Sequence, residues 1–283
     1  MIRIFSDSTC DLSKELIERY DITILPLHIL LGEEEFLDGV DITPDEIYKW
    51  SDEHKTTPKT SAVSIEDVMK AAEPYLDQGD EIISFSISDD MSTSGNVMHM
   101  AAAELEAEDR FHVINSANLS TGIGLLVIEA AIMAKEGKAS EEIITKIEEL
   151  KPLVRASFVV DTLTYLYRGG RCSGLAALAG GALKLHPQII VVDGAMKPAK
   201  KYRGNMLHVT LDYVKDMEKA MLNSHKDRVF ITHSGSDPKV VQEVYDYLEG
   251  LHYFDEICIT RAGGVVSSHC GYRTLGVLYI ANE

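Results

Sequence analysis

The chain has 283 residues, of which 45% are hydrophobic, enough for one large α/β domain or two smaller ones around a sizeable core. Its formal net charge of −18 argues against nucleic acid or an anionic membrane as the main partner, because both are bound through Lys and Arg. Cys10, Cys172, Cys258 and Cys270 form no CxxC pair, which argues against a zinc knuckle or a dithiol motif and points to reduced thiols in a cytoplasmic protein.

The first half alternates strand-like and helix-like segments, the pattern of a parallel sheet covered by helices. Met1-Ile2-Arg3-Ile4-Phe5 enters a strand with no basic and apolar leader before it. The turn Asp7-Ser8-Thr9-Cys10-Asp11 and a helix over Leu12 to Tyr20 follow. A second strand is predicted from Ile22 to Leu31, then a small hairpin excursion over about 32–60 that opens at Gly32-Glu33-Glu34-Glu35. Thr43-Pro44-Asp45-Glu46 supplies an N-cap, a proline at the first helical position and a glutamate at the third. Ser64-Ile65-Glu66-Asp67 is a second capping box for a helix to about Leu76, so Thr60-Ser61 falls in the loop before it. Glu81 to Ile87 is a strand, and Ser92-Thr93-Ser94-Gly95 leads into a helix from Asn96 to Ala107. Phe111 to Ile114 is the next strand, and Asn115-Ser116 precedes a buried helix from Gly122 to Ala134, too short to span a bilayer of roughly 20 residues.

After a capped helix starting at Ser140 the pattern changes, and a boundary near Leu153 divides residues 1–153 from 154–283. Arg155 to Val160 reads as a strand, followed by a short helix that stops at Gly169-Gly170 and the small-residue run 174–183. Asp193-Gly194 signals a hairpin. Val209 to Leu222 and Pro238 to Leu248 read as helices, and Val229 to Thr232, Glu256 to Thr260 and Leu275 to Ile280 as strands. The fold class is therefore α/β in two domains: a parallel sheet flanked by helices, then an α+β domain with a mixed or antiparallel sheet.

Hydroxyl-rich turns recur just after the strands of the first half, where open parallel sheets bind ligands. Neutral hydroxyls and helix N-termini there suit an anion. No GxSxG elbow surrounds Ser92 or Ser94, which speaks against a Ser–His hydrolase with His269. Gly122-Ile123-Gly124 lacks the third glycine and the abutting strand of a dinucleotide site, so that pair reads as close helix packing. The histidines show no HExxH or HxxxH spacing, and no metal site is predicted. Asp89-Asp90 reads as solvated charge. Arg171, projecting after the Gly169-Gly170 stop, reads equally as an ion-pair residue and as a ligand or partner contact.

These motifs in order resemble the DegV family of bacterial fatty-acid-binding proteins, including the binding subunits of fatty-acid kinase. The resemblance rests on Asp7-Ser8-Thr9-Cys10-Asp11-Leu12, Thr60-Ser61-Ala62-Val63-Ser64, Ser92, Tyr165-Leu166-Tyr167-Arg168-Gly169-Gly170-Arg171, Lys201-Tyr202-Arg203-Gly204 and Val265 to Gly271, and covers essentially the whole chain. It implies one long-chain fatty acid held between the domains, its tail in an apolar tunnel and its carboxylate at Thr60, Ser61 and Ser92 with His269 beside it. It further implies no catalytic residue, no metal and no cofactor beyond that ligand. Arg171 and Arg203 are implied as partner-kinase or carboxylate-positioning residues, the kinase forming an acyl phosphate for phospholipid synthesis. Candidates for the tunnel wall lie in the helix from Gly122 to Met133 and the run 175–185, with core packing the commoner use of any single residue there. A lipid-dependent sensor and a small-molecule acyl hydrolase are the alternatives. The chain departs from the family pattern in lacking a glycine between Ser92 and Thr93, in Asn115 where aspartate is usual, and in Tyr272-Arg273.

Overall fold

A computed structural model describes residues 1–172 and 185–283, so the run 174–183 lies outside the described residues. β1 (Ile2–Asp7) ends at Asp7, whose Oδ1 accepts the Thr9 N–H at 3.0 Å and starts a 3-10 turn over Ser8–Cys10. α1 (Lys14–Tyr20) begins later than predicted, because Ser13 is its N-cap and accepts the Leu16 N–H at 3.3 Å.

The predicted strand over 22–31 divides at Pro26. β2 (Ile22–Leu25) stays parallel to β1, whereas β3 (His28–Leu31) turns away into a separate sheet. Proline has no N–H for a ladder and restricts the residue before it, so the break falls there. β4 (Glu34–Leu37) forms the expected hairpin with β3. α2 (Pro44–His54) starts on the predicted Thr43–Glu46 capping box. β5 (Lys59–Ser61) then returns to pair with β3, setting Thr60 opposite Ile29. The excursion is thus a three-stranded sheet with a helix, and Thr60 and Ser61 lie in a strand rather than in a loop.

α3 (Ile65–Leu76), β6 (Glu81–Ser86), α4 (Ser94–Glu104), β7 (Phe111–Asn115) and α5 (Thr121–Lys135) complete the first half. The parallel sheet has the order β2-β1-β6-β7, with Ile4 between Ile22 and Ile83. The chain leaves β1 on one side and returns on the other at β6, so a crevice opens beyond the carboxyl ends of these two strands. α4 starts at Ser94, earlier than the expected Asn96, and Thr93 at its N-cap makes no side-chain cap bond.

α6 (Ser140–Leu150) has Ala139 at its N-cap, so the expected cap is absent. Beyond it come β8 (Val154–Val159), α7 (Thr164–Gly169), β9 (Leu185–Val192), β10 (Ala195–Arg203), α8 (Met206–Met221), β11 (Val229–His233), α9 (Pro238–Gly250), β12 (Ile257–Arg261), α10 (Gly264–Cys270) and β13 (Leu275–Ile280). Their sheet is mixed, in the order β10-β9-β8-β13-β11-β12, with β11 and β12 parallel and the other pairs antiparallel. Sequence did not signal α10. Its Gly, Val and Ser residues are poor helix formers, and its stability comes from tertiary contacts.

One hydrophobic cluster joins Ile4, Phe85 and Ile114 of the first sheet to Phe158, Phe230 and Leu278 of the second. α5 lies at its centre, with Ile123, Leu126, Val127 and Ile128 fully enclosed. Each such side chain contributes about 1.5–3 kcal/mol by burial. A Cβ at Gly124 would stand 2.7 Å from Leu12 Cδ2, so that glycine permits the close packing its sequence suggested. Among the described residues, no helix is long and apolar enough to cross a membrane.

Candidate functional site

Three segments converge at the crevice: β5, the loop after β6, and the last turn of α10, against which α7 packs. They enclose a cavity of about 410 Å³. Its polar side carries Thr60, Ser61, Ser92, His269 and Arg171, and its apolar side includes Leu27, Ile87, Leu119, Met196, Val265 and Val266. A void of about 20 Å³ shares Leu119, Val266 and Cys270 with it and continues toward Phe158 and Leu278.

β5 and α10 set the central contact, Thr60 Oγ1 to His269 Nε2 at 2.7 Å. The other ring nitrogen of His269, Nδ1, is enclosed and has no hydrogen-bond partner among the described residues. It faces Gly169, where a Cβ would stand 2.5 Å from it. An enclosed N–H without an acceptor is costlier than an enclosed lone pair, so the proton belongs on Nε2. His269 then donates to Thr60 Oγ1, and the Thr60 hydroxyl hydrogen stays free to donate elsewhere. Burial, reinforced by the nearby Arg171 charge, lowers the pKa of His269 to about 4, and the ring is neutral at pH 7.

Ser92 is held by a turn in which its N–H and that of Met91 both reach Ser88 O, at 3.1 and 2.9 Å. Its Oγ lies 2.9 Å from Ser94 Oγ and accepts the Ser94 N–H at 3.3 Å. Ser61 is exposed and makes no side-chain hydrogen bond among the described residues. Arg171 donates from Nη1 to Gly169 O at 2.7 Å and from Nε to Met91 O at 3.5 Å, tying the end of α7 to the Ser92 loop. It lines the cavity, with two of its five N–H donors given to these backbone carbonyls.

Five of the six predicted site residues meet at this cavity. Arg203 does not: it is exposed at the opposite end of β10 from Met196 and does not line the cavity. Of the wall candidates, α5 does not line the cavity and packs in the core instead, and among the described residues the apolar wall includes Leu119, Met196, Val265 and Val266. Of the run 175–185, only Leu185 lies within the described residues. Leu119 lies in a loop, and Met196, Val265 and Val266 lie at the very starts of β10 and α10, where one or two positions carry no periodic signal of a cavity wall.

Asp89 and Asp90, read as solvated charge, are exposed and also line the cavity. Asn115 bridges this loop: its Nδ2 donates to Asp89 Oδ2 at 2.8 Å and its Oδ1 accepts the Ala117 N–H at 2.8 Å. An aspartate at 115 could not donate to Asp89, which gives the departure from the family pattern a physical role. Tyr272 does not enter the cavity. It packs edge-on against Tyr48 at 5.3 Å, and Arg273 lies 3.8 Å from Asp161. Among the described residues neither Ser92 nor Ser94 hydrogen-bonds to His269, and no carboxylate orients its Nδ1. A nucleophile–base–orienter relay is therefore not assembled here.

The DegV family model, described as one of uncharacterised proteins, matches residues 1–282. A DegV domain-containing protein of Clostridium perfringens is 32% identical over 286 residues, covering 99% of this chain and 98% of its own. A solved DegV family protein from Thermus thermophilus, described by its fatty-acid binding, superposes with a TM-score of 0.91 at 28% identity, covering 99% of both chains. A stearic-acid-binding protein from Eubacterium ventriosum superposes with a TM-score of 0.86 at 31% identity, covering 99% of this chain and 98% of its own. With a match across the whole sheet framework and the cavity-forming segments, the chain belongs to the DegV family.

Proposed function

We propose that this protein binds one long-chain fatty acid between its two halves, divided near Leu153, without turning it over. The carboxylate is held by the hydroxyls of Thr60, Ser61 and Ser92, and the tail follows the apolar wall past Leu119 and Val266. The carrying observation is that the hydroxyls of Thr60, Ser61 and Ser92 stand together at one side of a cavity whose other side is apolar, with the Thr60 hydrogen left free by His269. A carboxylate leaving water needs several donors, and charge-assisted bonds from neutral hydroxyls supply them. Neutral His269 orients Thr60 as a donor by occupying its oxygen. The tail adds about 0.8 kcal/mol per buried methylene, so the apolar wall supplies most of the affinity. The fatty-acid and stearic-acid binding of the similar Thermus and Eubacterium proteins supports this reading.

Native mass spectrometry of protein purified without detergent, followed by extraction and identification of any released molecule, tests it directly. A stoichiometric long-chain fatty acid is the expected result. Protein that is empty and takes up neither palmitate nor oleate would overturn it.

The same reading makes the protein the presenting subunit for a separate fatty-acid kinase in the cytoplasm, which forms an acyl phosphate for phospholipid synthesis. No cofactor is required of this chain. Arg171 at the cavity and Arg203 on the outer strand β10 are then contacts for the kinase. Arg171→Ala is expected to keep fatty-acid binding and to slow acyl-phosphate formation with the cognate kinase. Equal phosphorylation by wild type and variant would remove Arg171 from that role.

A further inference from the structure

α10 brings four groups to the cavity, Val265, Val266, His269 and Cys270, yet it is only seven residues long and lacks a side-chain cap of its own. Its N-terminal end is held from outside. Asp11 Oδ1 accepts the Gly263 N–H at 2.7 Å, and Asp38 Oδ1 accepts the Gly264 N–H at 2.6 Å. Both carboxylates are buried, at 4% and 3% exposure, and they come from different parts of the first half, the turn after β1 and the end of the β3–β4 excursion. Each is fixed by a second donor: Ser120 Oγ gives to Asp11 Oδ2 at 2.5 Å, and Ser8 Oγ gives to Asp38 Oδ2 at 2.8 Å. Gly263 fits between them, because a Cβ there would lie 3.2 Å from Asp38 Oδ1 and Oδ2 and 3.3 Å from Asp11 Oδ1.

We infer that Asp11 and Asp38 are positioning residues of the cavity: they grip the start of α10 and so fix where its far end presents His269 to Thr60. The inference rests on the proposed ligand site for its functional meaning but not for its geometry. A seven-residue helix is about 10 Å long, so a tilt of roughly 10° at the clamped end moves the far end by nearly 2 Å. The His269–Thr60 bond at 2.7 Å does not survive such a displacement. Asp11 acts on the wall as well. Its partner Ser120 holds a positive φ of 54° next to Leu119, which lines the cavity. A non-glycine residue keeps that conformation only when its surroundings enforce it.

The test compares Asp38→Ala, which removes the acceptor, with Asp38→Asn, which keeps an oxygen for the Gly264 N–H. Gly263→Ala is a third variant, whose Cβ presses on both carboxyl groups without removing either acceptor, and it carries the test if Asp38→Ala does not fold. Two readouts are needed on the full chain: the ring nitrogen and Nε2 proton NMR signals of His269 without ligand, assigned with His269→Gln, and the dissociation constant for oleate. Asp38→Ala should shift the His269 signals and weaken oleate binding about tenfold or more, Gly263→Ala should shift the same signals with a smaller loss of affinity, and Asp38→Asn stays within about threefold of wild type. Wild-type His269 signals in both Asp38→Ala and Gly263→Ala would overturn the inference, as would Asp38→Asn failing as badly as Asp38→Ala. If wild-type protein takes up no oleate, the fatty-acid reading fails alone, and the His269 signals still decide the clamp.

Discussion

Two polar clusters, one buried and one half-buried, lie toward opposite ends of α10, and they are built on opposite principles. At the start of the helix, Asp7, Asp11 and Asp38 are acidic and deeply buried, and each has its oxygens matched to donors from backbone or hydroxyl groups. At its end, Thr60, Ser92 and His269 are neutral and only partly matched: Thr60 has a hydrogen to spare, Ser92 shares a bond with Ser94 in which either hydroxyl can donate, and His269 Nδ1 has no partner among the described residues. A saturated network has nothing left to offer a ligand and acts on structure. An unsaturated one at a cavity is costly in the empty protein and gains most when an acceptor arrives. The contrast locates the binding chemistry at the end of α10 with less charge.

Removing the unspent donors should separate the clusters most sharply. Thr60→Ala with Ser92→Ala is expected to weaken fatty-acid binding about 100-fold, two charge-assisted bonds being lost, with the melting temperature nearly unchanged. Titration with oleate beside a thermal scan reads both quantities. Wild-type affinity in the double variant would show that the carboxylate is held elsewhere.

Next comes the support behind His269. Gly169→Ala puts a methyl group where 2.5 Å separates it from Nδ1, so the ring must move and the Thr60 contact opens. Oleate affinity should fall about tenfold, the worth of one bond of this kind. The clue for this dependence was only half visible in sequence: Gly169-Gly170 reads as a helix stop, and Gly170 does hold a positive φ of 67°. That Gly169 must also be small because a histidine a hundred residues away rests on it is a tertiary fact. An unaltered His269 environment in the alanine variant would refute the packing argument.

The same division marks what was legible elsewhere. Thr43 and Ser64 announced their helices because capping is local chemistry, and Asp193-Gly194 announced its hairpin because both residues take positive φ, at 52° and 79°. Thr60, Ser61, Ser92, Arg171 and His269 were named in sequence and do converge on one cavity, although Thr60 and Ser61 reach it from a strand that no pattern of only three residues could signal. α10 and the carboxylates that grip it were not read, since their bonds join residues more than 200 positions apart. Asp7 and Asp11 were seen as polar members of a turn, not as buried acids.

Their burial has a pH signature that the neutral cluster lacks. Desolvation raises the pKa of Asp7 to about 6 and of Asp11 to about 8, with Asp38 also raised, against an ordinary value of 3.8. Between the unfolded and folded values the native state binds more protons, so this contribution to stability falls as pH rises from about 4 toward 8. His269 has the opposite sign: its lowered folded pKa of about 4 makes its contribution fall as pH drops below 6.5. Asp11→Asn keeps an oxygen for Gly263 and suits the positive φ of 51° at that position. The melting temperature of the variant minus that of wild type should therefore climb from pH 5 to pH 8.5. A difference that is flat with pH would mean that Asp11 is not held as a high-pKa acid.

The smallest expected effect lies at the cavity mouth, where solvent blunts what burial amplifies. Asn115→Asp keeps an acceptor for the Ala117 N–H but loses the Nδ2 donor to Asp89, leaving two carboxylates about the present 2.8 Å apart unless they rotate away. Because Asp89 and Asp90 are exposed, rotation and screening limit the cost, and exposed pairs of this kind are worth about 1 kcal/mol or less. The added charge sits behind Asp89, which lines the cavity, so oleate should bind about two- to threefold more weakly at low ionic strength. Salt decides whether the cause is electrostatic: the Debye length shrinks to about 3 Å at 1 M, and the variant should then approach wild-type affinity. A deficit that persists at high salt would instead mean that Asn115 shapes the Asp89–Ser92 loop through its donated hydrogen bond, and the mouth would behave like the buried cluster after all.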